Sequence, residues 1–187
     1  MLKRIVGSAL LGLVVLFVWA FVVNGILGFT LRMEMKPVSN EPEVYRVLKE
    51  NVVSPGAYMV NPALTPEGQF PGGEPVFSLR FSGMGHEAAG RMVFVGPAIL
   101  LVALLLAAGL LAMASPRVLC RYPLKVLFLA VLGLLLAVFA NLTKIGIGGY
   151  PVHTALLLAA RDFVSWTLAG LVMAWPLRAP GDAPRAA

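Results

Sequence analysis

Long apolar stretches alternate with short polar connections along the chain, and this alternation predicts the fold class. Four apolar stretches stand out, at residues 5–29, 92–114, 124–142 and 152–175. About 20 helical residues, each rising ~1.5 Å, cross the ~30 Å hydrocarbon core of a bilayer. Because backbone groups in hydrocarbon have no water to bind, each stretch is predicted to be a transmembrane helix.

A proline-rich polar segment separates the first apolar stretch from the other three. The pattern predicts a mainly α, integral membrane protein with four transmembrane helices and a small extracytoplasmic α+β insertion between helices 1 and 2. Helix 1 occupies residues 1–29, the insertion 30–91, and a bundle of three further transmembrane helices 92–177. The Ala/Pro-rich residues 178–187 are predicted to form a disordered cytoplasmic tail.

The insertion carries signals for one helix and two strands. Asn40, followed by Pro42 and Glu43, is a typical helix start, because Asn caps the first turn and Pro fits within it. Short strands are predicted at residues 57–60 and 74–82, and the second alternates apolar and polar side chains. About 60 residues without a disulfide are marginally stable alone, so we expect the insertion to pack on the outer end of the bundle.

Basic residues lie mostly on one side of the predicted spans. The formal net charge is +6, yet residues 30–91 contain six basic and seven acidic side chains and are nearly neutral. Other basic residues flank the spans at Lys3, Arg4, Arg117, Arg121, Lys125, Arg178 and Arg185. Cytoplasmic loops are enriched in Lys and Arg, so both termini are predicted to be cytoplasmic and residues 30–91 extracytoplasmic. The excess positive charge then orients the protein, and nucleic acid is not an expected partner.

Residues 1–29 resemble a secretion signal but are predicted to remain as an anchor. Lys3 and Arg4 precede an apolar run that is too long for a signal core, and no small-x-small cleavage site ends it. The Ala/Leu/Gly/Arg-rich composition is typical of a GC-rich bacterial gene, so we expect a bacterial inner (plasma) membrane. Cys120, the single cysteine, lies in the predicted cytoplasmic loop, where a reduced thiol is expected and lipid attachment is the alternative.

The most informative polar feature is Arg161-Asp162, which interrupts the fourth apolar stretch. By helix rise these residues lie roughly 14–16 Å deep, where ionisable side chains are costly and usually face the bundle interior. Adjacent helical side chains diverge by about 100°, so we predict that the two do not form a good ion pair with each other. A polar cluster between helices 1, 3 and 4 is predicted from Asn24, Asn141, Arg161, Asp162 and Ser165.

Three roles are open for this polar cluster. It either joins the helices structurally, binds a lipid headgroup or partner helix, or transfers an ion or proton. A topological alternative also remains open, in which residues 152–160 lie along the outer interface and Asp162 caps a short span.

Methionine recurs in the predicted external segment, where thioether and imidazole groups suit Cu(I). The candidate ligands are Met33, Met35, Met84 and His86. Methionine also fills gaps in small cores, which is the simpler interpretation. Neither another metal site nor a catalytic set of side chains is recognisable, so we expect no enzymatic activity and no cofactor.

The sequence is therefore interpreted as a non-enzymatic accessory, assembly or scaffold subunit of an inner-membrane complex. Its expected partners are membrane lipids and one or more membrane proteins. The alternative is a lipid- or ion-handling protein whose site is Arg161 and Asp162, and a minor alternative is Cu(I) binding outside the cytoplasm.

Overall fold

The protein folds into two compact units. The computed structural model describes residues 1–34, 36–85, 87, 90, 92–145 and 150–177. One unit, the helical unit, combines Met1–Met35 with Val93–Ala187, and the other, the appendage, is Lys36–Met92. The structure is 67% helical and has a small two-stranded sheet.

The described residues contain six α-helices and two strands. The helices are α1 (Leu2–Ala20), α2 (Glu41–Asn51), α3 (Val95–Ala112), α4 (Pro116–Leu119), α5 (Tyr122–Asn141) and α6 (Val152–Met173). The strands are β1 (Gly56–Val60) and β2 (Phe77–Phe81). Turns of 3₁₀-helix adjoin α3 at Met92–Phe94 and α5 at Leu142–Lys144, and π-helical turns follow α1 at Phe21–Ile26 and Thr30–Glu34.

Four helices, α1, α3, α5 and α6, are long and apolar enough to cross a membrane, counting the turns adjoining α1 and α5. They correspond to the four apolar stretches of the sequence, so the predicted set of long helices is confirmed. The first candidate span, which is α1 with the π-helical turn Phe21–Ile26, ends earlier than predicted. Gly28 has a φ of +61°, in the left-handed region that favours glycine and cannot continue a right-handed helix.

Glycines let the long helices approach closely. Helix α1 packs against α3 and α6, and α5 packs along α6. A Cβ added to Gly12 on α1 would lie 2.8 Å from the sulfur of Met173, so a larger residue there requires the Met173 side chain to move. Gly133 on α5 likewise leaves room for the side chain of Trp166. The fully buried large side chains of this unit are Leu104, Leu111, Leu129, Met173 and Leu177.

Three side chains bind backbone carbonyls at or just beyond the C-terminal end of α6. They are Ser8 (to Met173 O, 2.7 Å), Tyr122 (to Leu171 O, 2.7 Å) and Lys125 (to Leu177 O, 2.6 Å). The last carbonyls of a helix lack intrahelical donors, and a cation suits the negative end of its dipole. Lys125 was counted among the basic residues that flank the spans on the cytoplasmic side. It is only 6% exposed, so its charge is not a hydrated one at the membrane surface.

In the appendage, α2 begins after Asn40 as predicted, with proline in its first turn. The Asn40 side chain makes no capping hydrogen bond. The exposed face of the helix is ordered instead by Arg46, which binds Glu43 at 2.7 Å and Glu50 at 3.0 Å. The hydrogen bond from the Arg46 guanidinium lowers the pKa of the Glu43 carboxyl below its ordinary value.

Strands β1 and β2 pair in antiparallel register, with Tyr58 opposite Leu79 and Val60 opposite Phe77. The second strand is shorter than the predicted range 74–82. Among the described residues of the appendage, none is buried, and Phe77 is 62% exposed. The described residues of the appendage therefore form secondary structure without a buried core of their own.

Candidate functional site

The candidate site is built on α6, which runs unbroken from Val152 to Met173 with Pro151 at its N-cap. Arg161 and Asp162 lie near the middle of this helix. The alternative in which Asp162 caps a short span is therefore wrong, because Asp162 lies inside a continuous helix. Their side chains are part-buried, at 27% and 30% exposure.

Arg161 and Asp162 form an ion pair, contrary to the sequence-based prediction. The Arg161 Nη2 and Nε atoms lie 3.1 and 3.2 Å from Asp162 Oδ1. Neighbouring helical side chains diverge at their base, but the arginine side chain is long and flexible enough for its guanidinium to reach the adjacent carboxylate. The two charges therefore neutralise each other within one turn of α6.

Asn141 joins this ion pair from α5. Its Nδ2 donates to Asp162 Oδ2 over 2.8 Å and also lies 3.3 Å from Ala137 O. Asn141 is 4% exposed, so its amide is placed by burial as well as by hydrogen bonding. Both carboxylate oxygens of Asp162 consequently accept hydrogen bonds, one from its own helix and one from the neighbouring helix.

Ser165 connects the site to α1. Its hydroxyl donates to Arg161 O over 2.7 Å, one turn back on α6, and accepts a 2.9 Å hydrogen bond from Trp19 Nε1. Sequence analysis did not identify Trp19. A tryptophan near the end of a span carries one N–H that needs an acceptor, and that property was the available signal.

Asn24 lies in the π-helical turn after α1, and its Oδ1 accepts a 2.8 Å hydrogen bond from Thr30. In the same region, the Phe29 ring centroid lies 5.5 Å from Cζ of Arg161, within range of a cation–π interaction. Phe29 was also missed, because a single phenylalanine in an apolar stretch has no distinguishing pattern.

A cavity of about 370 Å³ brings most of these side chains together. Its size falls within the ~300–1,000 Å³ typical of small-molecule sites. Apolar side chains of α1 and α3 line one part of it. The polar and aromatic lining consists of Trp19, Asn24, Arg161, Asp162, Ser165 and Trp166. Four of the five predicted cluster residues thus line one cavity, and Asn141 reaches it through Asp162.

The cavity offers hydrogen-bond donors and acceptors beside a neutral ion pair. Such a lining suits a polar or zwitterionic group, because neither charge is left without its opposite. In the described part of the chain, no group of three His, Cys, Asp or Glu side chains is placed to hold a metal ion.

The candidate copper ligands belong to two different units of the chain, and two of the four lie outside the described residues. Met33 belongs to the helical unit and Met84 to the appendage. Met35 and His86 lie outside the described residues. Comparison with protein families, curated proteins and solved structures gives no match. The function must therefore be inferred from the chain's own geometry.

Proposed function

We propose that this chain is a multi-pass integral membrane protein that serves as a non-enzymatic accessory, assembly or scaffold subunit of a larger inner-membrane complex. The observation that carries this proposal is the exposure of the appendage. Its described residues include none that is buried, while many large apolar side chains are exposed. Extensive apolar exposure on a folded segment is typical of an interaction surface.

One exposed apolar part of the appendage lies where β1 ends and β2 begins; it is here called the hairpin end and defined as Val60, Val76 and Phe77. These three side chains are 46%, 54% and 62% exposed, and Val60 pairs with Phe77 across the strands. A segment of this size gains little stability from burial within itself. A protein partner that covers the hairpin end supplies the missing apolar contacts.

The polar cluster supports the same function. Asp162 binds Asn141 of α5, and Ser165 binds Trp19 of α1, so the polar side chains connect three helices. Interhelical hydrogen bonds in membranes contribute ~0.6 kcal/mol on average, which suits a structural role in a small bundle. With both Asp162 oxygens already accepting hydrogen bonds, proton transfer is the least favoured of the three roles.

A second candidate function is lipid or ion handling at Arg161 and Asp162, and the adjoining cavity of about 370 Å³ is the observation that favours it. Replacement of either residue by alanine distinguishes the two functions. If the cluster is structural, both variants reduce recovery of the intact complex. If it is a ligand site, the complex assembles normally but loses a co-purifying lipid or ion.

Site-specific photo-crosslinking in native membranes tests the leading proposal. A photoreactive residue at Phe77 is expected to give one discrete protein adduct. The matched control is Glu41, which is exposed at the start of α2, and little crosslinking is expected there. Equal crosslinking at both positions, or only lipid adducts at Phe77, contradicts the proposal, as does recovery of the full chain as a free monomer in mild detergent.

A further inference from the structure

The appendage contains a groove that the proposed partner surface does not use. It has a volume of about 590 Å³ and lies between α2 and β2 with the loop that follows β2. This volume falls in the ~300–1,000 Å³ range of small-molecule sites. Most of the side chains that line it are apolar, and they include Leu48, Val52, Leu79, Phe81 and Met84. The groove is therefore an apolar trough in a segment whose described residues include none that is buried.

Two cations also line this groove, Lys49 on α2 and Arg80 on β2. No carboxylate side chain is among its lining residues. Neither cation has an ion-pair partner within the described part of the chain, whereas Arg46 on the same helix binds two glutamates. The groove thus combines apolar walls with two uncompensated positive charges.

We infer that the groove binds a single long-chain fatty acid or a closely similar one-chain anionic amphiphile. The acyl chain lies along the apolar walls, and the carboxylate lies near Lys49 and Arg80. A hydrocarbon chain supplies the apolar volume that the appendage does not bury by itself. It also brings no backbone N–H or C=O groups, which an extended peptide would have to pair inside the groove.

Photo-labelling of the full-length protein tests this inference. The protein is placed in phosphatidylcholine nanodiscs and labelled with a diazirine-bearing palmitic acid, or with the corresponding fatty alcohol as the uncharged probe. Adducts are expected in the peptides that contain residues 45–53 and 79–85, and the acid is expected to label them more strongly than the alcohol. Exposed charge pairs contribute up to ~1 kcal/mol, so each lost cation should reduce labelling by roughly threefold to fivefold.

The variants are Lys49→Gln and Arg80→Gln, and the matched control is Lys36→Gln, which removes an exposed charge of the same segment outside the groove. All three side chains are exposed, so the variants should keep the circular dichroism spectrum of the parent protein. Equal labelling by acid and alcohol, unchanged labelling of both groove variants, or adducts confined to the long helices overturns the inference. A groove that binds an acidic apolar peptide but not the fatty acid overturns it as well.

Discussion

Removal of the Asp162 carboxylate should destabilise the helical unit more than removal of its partner on α5. Asp162→Ala eliminates two contacts with the Arg161 guanidinium and one hydrogen bond from Asn141. It also removes the carboxylate that lies 3.1 Å from the part-buried Arg161 guanidinium. We expect a loss of about 2–4 kcal/mol in the free energy of unfolding.

Asn141→Leu is the comparison variant. It removes one interhelical hydrogen bond and leaves the Arg161–Asp162 ion pair intact, so the expected loss is about 1 kcal/mol. The double variant Arg161→Ala/Asp162→Ala removes both charges together. It should be less destabilised than the sum of its single variants by ~1–2 kcal/mol, because each single variant already removes the contact between the two side chains.

Unfolding by titration with sodium dodecyl sulfate in mixed micelles measures these free energies, with the fluorescence of Trp19 and Trp166 reporting on the site. Both tryptophans line the cavity, so their emission should change as the cluster separates. A stabilising role of the ion pair is refuted if Asp162→Ala costs no more than Asn141→Leu, or if the single-variant effects on Arg161 and Asp162 simply add.

Further predictions concern packing, helix ends and orientation. Gly133→Ala should cost about 1–3 kcal/mol by overpacking against tryptophan, whereas Gly109→Ala, with open space around it, should stabilise its helix by up to ~1 kcal/mol in the same assay. Lys125→Met should lower the thermal midpoint in micelles, because a carbonyl beyond α6 loses its donor; an unchanged midpoint contradicts this. A membrane-impermeant maleimide should label the exposed Cys120 only after the cells are permeabilised. The same reagent should label a Ser78→Cys variant, made in a Cys120→Ser background, in intact cells. The reverse pattern contradicts the orientation with residues 30–91 outside the cytoplasm.

The long helices were predictable because their signal is spread over many residues. In a run of about 20 apolar residues placed in hydrocarbon, the backbone must form its own hydrogen bonds, and a helix is the simplest structure that does so. The end of the first helix was not predictable from that signal, since it depends on the conformation of one residue, Gly28. The second strand was predicted too long for a related reason: alternation of side chains continues beyond the residues that the partner strand can pair.

The membership of the polar site was largely accessible from sequence, but its geometry was not. Polar side chains in apolar stretches require hydrogen-bond or ion-pair partners, so the sequence already grouped Asn141 with Asp162. The contact between Arg161 and Asp162 depends on how a flexible side chain folds, which residue spacing does not encode. Trp19 was missed because its hydrogen bond to Ser165 arises only from the packing of α1 on α6.

The hydrogen bond between Ser8 and Met173 joins residues that are 165 positions apart. Protein synthesis proceeds from the N-terminus, so α1 emerges from the ribosome long before its partner exists. Until α6 is inserted, Ser8 and Gly12 of α1 must therefore contact lipid or the insertion machinery. The final arrangement of these helices is consequently a late event of biogenesis, and a delay or error in delivering α6 would leave α1 open to pairing with the wrong neighbour.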